Sequence, residues 1–151
     1  MESFVIQSNS EGLSTVESYI GCFCDENHIS NYSATIMVPV LQAVENAIVH
    51  GNGRDENKKV RIECGCRNGG VYFLVEDEGN GFDYATYGEC PSVDASGKGI
   101  FLIKSLADHY EYFNGGSSLR LDFNIYGIEA SYALERMAKV QHFFLRKTVE
   151  V

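Results

Sequence analysis

Three short segments, taken in order, constrain the fold of this chain most. They are AVENAIVHGN at 43–52, VEDEGNGFD at 75–83 and ASGKGIFLIKSLAD at 95–108. The first indicates a helix with a polar amide, the second a strand ending in a carboxylate among glycines, and the third a glycine-rich loop that opens a helix. Free N–H groups at a helix N-terminus bind anions, and a carboxylate accepts hydrogen bonds from an amine. Together the segments predict a site for a nucleoside triphosphate.

Length and charge limit the number of domains and the kinds of partner that this chain can have. The chain has 151 residues, enough for one domain, with 44% hydrophobic and 22% charged residues. Its net charge is −9 and no stretch concentrates Lys and Arg, so we expect no nucleic-acid surface. The start, MESFVIQSNSEGL, lacks a basic lead, and no later run approaches the roughly 18 apolar residues of a membrane span. We therefore expect a cytoplasmic protein that does not contact a membrane.

The five cysteines do not indicate a disulfide framework or a metal site. Cys64 and Cys66 share one face of a predicted strand with Val60 and Ile62, so both are predicted to be core residues. The pair at 22 and 24 falls on a helical pattern, where neighbours two apart point in different directions. Structural zinc sites use wider C-x₂₋₄-C spacing, so we do not expect one here.

Hydrophobic periodicity predicts a chain that contains both helices and strands. The first helix would be capped by Ser10 or Ser14, and Pro39 implies that the second helix either starts nearby or bends. The predicted strands are 3–7, 58–67, 70–77, 110–114 and 117–125, and the predicted helices are 12–27, 33–50 and 99–108. This order predicts an α+β two-layer sandwich, with helices on one face of a mixed, mostly antiparallel sheet.

Two further segments flank these elements. Residues 83–97 have little periodicity and several helix breakers, so we interpret them as a mobile loop or lid. The tail from Ile128 to Lys147 has the spacing of an amphipathic helix. We therefore assign 1–126 to one ligand-binding domain and 127–151 to a C-terminal helix that packs on the domain or on a dimer partner.

The second predicted helix carries candidate residues for metal binding. Gln42 and Asn46 are four positions apart and lie about 40° apart around the helix axis. The side-chain carbonyl of Asn46 is the kind of oxygen ligand that Mg²⁺ prefers and shares with substrate phosphates. Taken alone, Asn46 would more readily be interpreted as a residue that caps or links loops on a solvated face.

The other two segments supply candidates for base and phosphate contacts. Asp77 could accept a hydrogen bond from the exocyclic amine of a base, while Gly79 and Gly81 would let base and backbone approach closely. A plain β-turn with a surface Asp is the alternative. Residues Gly97, Lys98 and Gly99 would bind phosphates at a helix N-terminus, although Lys98 would also fit a solvated loop. Their spacing matches neither a Walker loop nor a Rossmann fingerprint.

These residues resemble the motifs of a known superfamily. The runs NAIVHGN from Asn46, DEGNGF from Asp77, GKGIFLI from Gly97 and GGSS from Gly115 resemble the N, G1 and G2 boxes of the GHKL ATPases. Within that superfamily, the short length and the N-terminal strand and helix look most like the serine-kinase anti-sigma factors. The resemblance covers roughly 3–125.

The resemblance implies an ATP site, with Asn46 on Mg²⁺, Asp77 on adenine and Gly79 and Gly81 beneath the base. It implies that the 97–99 loop contacts the phosphates, that 83–97 form an ATP lid and that Ser117 lies near the base, where relatives often place Thr. In that subgroup, ATP phosphorylates a serine of a small antagonist protein, the kinase also sequesters a sigma factor, and homodimers are usual.

One position departs from the family pattern. Members that transfer or hydrolyse phosphate typically carry Glu as general base four residues before the N-box Asn, and this chain has Gln42 there. A neutral amide cannot take up a proton, whereas Glu45, about 60° from Gln42 around the helix, could substitute or could point away from the phosphates. Two hypotheses follow: an ATP-dependent serine/threonine protein kinase, or a non-catalytic ATP-binding switch that sequesters a protein partner.

Overall fold

Five strands and two long helices make up most of the described fold. The computed structural model describes residues 1–81 and 102–125. The strands are β1 (Glu2–Gln7), β2 (Lys59–Arg67), β3 (Gly70–Glu76), β4 (His109–Phe113) and β5 (Ser118–Asn124). The long helices are α1 (Ser10–Glu26) and α2 (Ser33–Asn46), and α2 continues as a π-helix over Ala47–Gly51. Residues 102–106 are helical, and short 3₁₀ turns cover Ser30–Tyr32 and Asn114–Gly116.

The strands form a single sheet in the order β1-β2-β3-β5-β4. All four neighbouring pairs are antiparallel, with Ile62 opposite Val75 and Phe73 opposite Leu121. The predicted α+β fold is confirmed, and among the described strands no parallel pair occurs, so this part of the sheet is more uniform than expected. The connection from β3 to β4 carries the second and third sequence motifs.

The core lies between the helices and one face of the sheet. Alternate residues of β2, β3 and β5 point towards α1 and α2 and are buried, as the two-residue period of a strand requires. An aromatic row crosses this layer, with ring centroids 4.5–6.5 Å apart. Its members are Phe4, Tyr19, Phe23, Phe73 and Phe123.

Both predicted hairpins are present. The turn between β2 and β3 consists of Asn68 and Gly69, with Gly69 at φ +87°, a conformation that glycine adopts without steric cost. Between β4 and β5, Asn114, Gly115 and Gly116 all have positive φ. This second turn lies beside the candidate site described below.

Two local predictions were wrong. The N-cap of α1 is Asn9, whose side chain accepts a hydrogen bond from Gly12 N–H at 2.9 Å, and neither Ser10 nor Ser14 holds that position. Cys66 is exposed, because α1 ends at Glu26 and leaves the end of β2 uncovered. Cys64 is buried as predicted, and burial raises the pKa of its thiol to about 12.

The position of Pro39 is also settled. Helix α2 starts six residues earlier, so Pro39 lies inside it and cannot donate to the carbonyl of Thr35.

Helix α2 and its flanks bear on the expectation that no segment is apolar enough to span a membrane. By length and composition, Ser30–Gly51 is long and apolar enough to cross a bilayer, with a mean hydropathy of 1.2. A core helix meets the same test, and Ile36, Val40 and Val44 of this segment are fully buried against the sheet.

Several predictions lie outside the described residues. They are the lid at 83–97, the start of the third helix, the 97–99 loop and the C-terminal helix from Ile128 to Lys147. The described part of the third helix agrees with the prediction, and its Ile103 is fully buried.

Candidate functional site

Asp77 lies at the end of β3, where the chain leaves the sheet. Its N–H donates to the carbonyl of Ser117 at 2.9 Å, so the strand end is tied to the turn before β5. Its side-chain Oδ1 accepts from Gly79 N–H at 2.8 Å. This bond orients the carboxylate. Among residues 1–81 and 102–125 no hydrogen bond reaches Oδ2, an oxygen that can accept a hydrogen bond from a ligand amine.

The carboxyl of Asp77 is in an unusual environment for an acid. Burial raises its pKa above the ordinary 3.8, and the Gly79 N–H and the charge of Lys58 oppose this shift only in part. A half-buried carboxylate with an unshared lone pair gains more from a ligand hydrogen bond than an exposed one, because less water competes for it.

Hydrogen bonds to two other segments hold Glu78, the residue after Asp77. The N–H of Glu78 donates to the side chain of Asn52 at 2.8 Å, and the carboxylate of Glu78 accepts from the backbone N–H of Lys59. Every backbone N–H from Asp77 to Gly79 therefore has a partner. We call 77–81 the Asp77 loop.

Glycines make this loop possible by allowing backbone to contact backbone. A Cβ built on Gly79 would overlap the carbonyl of Gly51, and one built on Gly81 would overlap the carbonyl of Gly115. Gly81 also has φ +80°, which disfavours other residues. On Gly51 a Cβ would collide with the carboxylate of Asp77. The loop is thus packed between the π-helix and the β4–β5 turn.

The candidate side chains Gln42 and Asn46 lie in the last turns of α2, just before the π-helix that packs against the Asp77 loop. Asn46 is the last residue of α2 and is half-buried, as is Gln42 one turn earlier. Gly51 follows Asn46 by five residues, and the π-helix between them places it against Asp77. The structure thereby connects the helix that carries Asn46 directly to the Asp77 loop.

The donor set fits a magnesium ion that is shared with a ligand. Among residues 1–81 and 102–125, no group of three or more His, Cys, Asp and Glu side chains could hold a metal ion. Mg²⁺ commonly takes one or two protein oxygens and completes its shell with phosphate and water. The half-buried amide of Asn46 suits that role.

Glu45 belongs to a different surface from its neighbour Asn46. It is exposed and lines a cavity of about 350 Å³ that opens beside the start of α1. Neither Gln42, Asn46 nor Asp77 lines this cavity. Its wall consists of Ser8, Asn9, Ser10, Leu13, Glu45, Ile48, Val49, Arg54 and Glu56.

Of the remaining predicted site residues, the structure describes Ser117. Ser117 is half-buried, and its Oγ donates to the carbonyl of Asn114 at 2.9 Å, while its own carbonyl binds Asp77 N–H. It therefore lies beside Asp77. The phosphate-loop candidates Gly97, Lys98 and Gly99 lie outside the described residues.

Sequence reasoning missed Gly51 and Asn52. Both lie in the run NAIVHGN, in which Asn46 alone was assigned a role. Their contacts with Asp77 and Glu78 join segments 26 residues apart, so local pattern carries little sign of them. The one available signal was the Gly-Asn pair that ends this run.

Comparison with known proteins gives a consistent result. Residues 6–123 match the family described as histidine kinase-like ATPase domain. The anti-sigma F factor of Clostridium perfringens strain 13 is 29% identical over 118 residues, which cover 74% of this chain and 83% of that protein. The anti-sigma F factor of Oceanobacillus iheyensis is 33% identical over 82 residues, which cover 50% of this chain and 56% of that protein.

A solved structure supports the fold alone. The histidine kinase domain of the Erythrobacter litoralis EL346 blue-light activated histidine kinase superposes with a TM-score of 0.51 at 16% identity. The match covers 78% of this chain and 61% of that chain, so this chain spans less than two thirds of that structure.

Proposed function

Since this chain belongs to the histidine kinase-like ATPase domain family, we propose that it is an ATP-binding regulatory protein of the anti-sigma factor kind. The observation that carries the proposal is the geometry of the Asp77 loop. Its carboxylate is oriented by Gly79, is half-buried and has one oxygen that no hydrogen bond from the described part of the chain occupies. This is the chemistry that recognition of adenine requires.

In the proposed complex, the remaining residues take the roles that the family resemblance implies. Asn46 would bind Mg²⁺ together with phosphate oxygens, and Gly97, Lys98 and Gly99 would contact the phosphates. Gly79 and Gly81 keep side chains away from the base, and Ser117 lies beside Asp77. ATP would then span the distance between α2 and the Asp77 loop.

For the chemical step, we propose that phosphoryl transfer is slow or absent. The position of the expected general base holds Gln42, which cannot take a proton from a hydroxyl. The nearest carboxylate on the helix, Glu45, lines a cavity that Asn46 and Asp77 do not share. Both observations favour an ATP-dependent switch that binds a protein partner over a serine kinase acting on a small antagonist protein.

A calorimetric titration with ATP and ADP, with and without Mg²⁺, tests the nucleotide site. We expect ATP to bind, and to bind more tightly when Mg²⁺ is present. No binding at millimolar ATP would contradict the proposal.

Whether the chain transfers phosphate is tested with ATP labelled on its γ-phosphate and a sensitive assay for ADP and for labelled protein. Rapid transfer to a small antagonist protein from the same organism would favour the kinase alternative.

Protein partners and assembly complete the proposal. By analogy with the anti-sigma relatives, we propose a homodimer in the cytoplasm that binds a sigma factor. Light scattering of the full chain, alone and with each sigma factor of its organism, tests both points. A monomer that forms no such complex would contradict them. Removing 128–151 tests the C-terminal segment, because an unchanged dimer would exclude it from the dimer interface.

A further inference from the structure

Asn52 is a buried amide to which the proposed nucleotide contacts assign no role. It is 3% exposed and directly follows the π-helix. Its Nδ2 donates to the carbonyl of Lys59 at 2.9 Å and to the Oγ of Ser8 at 3.0 Å, and its Oδ1 accepts from Glu78 N–H at 2.8 Å. Each of these bonds is costly to break, because a buried polar group would be left unpaired.

The three partners of Asn52 lie in three different parts of the fold. Ser8 lies in the turn between β1 and α1, Lys59 begins β2, and Glu78 belongs to the Asp77 loop. Asn52 itself lies six residues after Asn46, on the chain segment that extends α2. Its side chain therefore links the helix of the proposed metal ligand to the loop of the proposed base ligand.

This link has a specific consequence for a ligand that touches both ends. A nucleotide gains the contacts of its base and of its phosphates together only if the two sites are already the right distance apart. If the loop moved relative to α2 in the free protein, ATP binding would have to order it, and the cost of that ordering would lower the affinity for ATP. An adenosine molecule, which reaches only the Asp77 side, would be much less sensitive.

We propose that Asn52 is a positioning residue that holds the Asp77 loop in register with α2, so that one nucleotide can reach Asp77 and Asn46 together. This inference rests on the proposed function. It assigns to Asn52 no contact with the nucleotide and no part in chemistry. The hydrogen bond from Glu78 N–H is its direct means of action, because Glu78 lies between Asp77 and Gly79.

The test compares ATP with adenosine in the Asn52→Ala variant. We expect the affinity for ATP to fall about tenfold, as for the loss of one preorganising contact, and the affinity for adenosine to change much less. The control is Val16→Ala, which removes buried volume in α1 and should lower stability without changing either affinity. Equal losses for both ligands, or no loss for ATP, would overturn the proposal.

A second measurement keeps the proposal testable if Asn52→Ala does not fold. In the unaltered chain without nucleotide, the amide of Glu78 should exchange its hydrogen slowly because Asn52 holds it. Exchange at the rate of an open amide would overturn the proposal. The first titration separates the two possible failures. Absence of ATP binding overturns the proposed function, whereas ATP binding that Asn52→Ala leaves unchanged overturns only the role of Asn52.

Discussion

The Asp77 loop and the polar face of α2 would contact the same nucleotide, yet they are built differently. In the loop, every N–H from Asp77 to Gly79 is paired, and the glycines pack backbone against backbone. On α2, Gln42 and Asn46 are half-buried, and in the described parts of the chain no hydrogen bond joins either side chain to another residue. The proposed base side of the site is therefore already organised by contacts within the chain, whereas chemistry at the proposed phosphate side would depend on the side chains of α2.

The strongest test of this contrast is to restore the missing base. We expect Gln42→Glu to raise ATP turnover about 100-fold, the usual contribution of a positioned general base. The measurement is the rate of ADP formation at saturating ATP. Glu45→Gln is the matched control on the same helix, and it should leave turnover unchanged. A loss of turnover in Glu45→Gln would identify Glu45 as the base and contradict our interpretation.

The next largest effect should come from the loop itself. We expect Asp77→Asn to weaken ATP binding by about 1.5–3 kcal/mol, the value of a hydrogen bond to a charged acceptor. Calorimetry gives the affinity, and a thermal melt shows whether the variant is folded. An unchanged affinity in a folded variant would mean that adenine does not bind at Asp77.

A smaller effect should follow from adding a methyl group to the loop. Gly79→Ala forces a Cβ into the carbonyl of Gly51, so we expect a loss of stability of about 1–3 kcal/mol, together with weaker ATP binding. The control is Gly21→Ala in α1, where a Cβ would meet open space and where alanine favours the helix. If Gly79→Ala is as stable as Gly21→Ala, the loop is not packed as described.

The smallest effect should be a dependence on pH. Burial raises the pKa of Asp77 above 3.8, so acidification from neutral pH protonates it earlier than an ordinary Asp and weakens ATP binding. Titrations at several pH values in the unaltered chain and in Asp77→Asn check this, since the variant should keep only the ligand's own pH dependence. Identical profiles would contradict the assignment.

Stability should respond to pH in the opposite direction at this residue. A carboxyl with a raised folded-state pKa binds its proton more tightly in the folded chain than in the unfolded chain. Its contribution to stability therefore declines as pH rises from 3.8 through the folded pKa, and is constant above both. Weaker ATP binding on acidification thus cannot be explained by unfolding that Asp77 causes.

The sequence was sufficient to predict the strands, the hairpins and the position of Asp77 at the end of a strand. Those features depend on local periodicity and on turn residues such as Asn68 and Gly69. An Asn-Gly pair between two strand patterns predicts a hairpin without any knowledge of distant contacts. The motif order then suggested which ends of these elements come together. The match of residues 6–123 to the histidine kinase-like ATPase domain agrees with that prediction.

What the sequence could not supply are contacts between distant segments. Helical spacing places Glu45 about 60° from Gln42 but does not tell which cavity lies on that side. The hydrogen bonds of Asn52 reach 44 residues back to Ser8 and 26 residues on to Glu78, so only the folded chain reveals them. Cys66 was misjudged for a similar reason, because the end of α1 decides whether it is covered.

The glycine contacts around Asp77 also bear on engineering. Ligand pockets are commonly widened for a bulkier analogue by shortening a side chain, but Gly51, Gly79 and Gly81 have no side chain to shorten, and their backbones already touch. In the proposed complex, Asp77 and Ser117 lie near the base and do have side chains, so exchanges at these two positions offer a route to altered base preference. A designer working with this chain should therefore change the chemistry of the hydrogen bond and leave the shape of the loop alone.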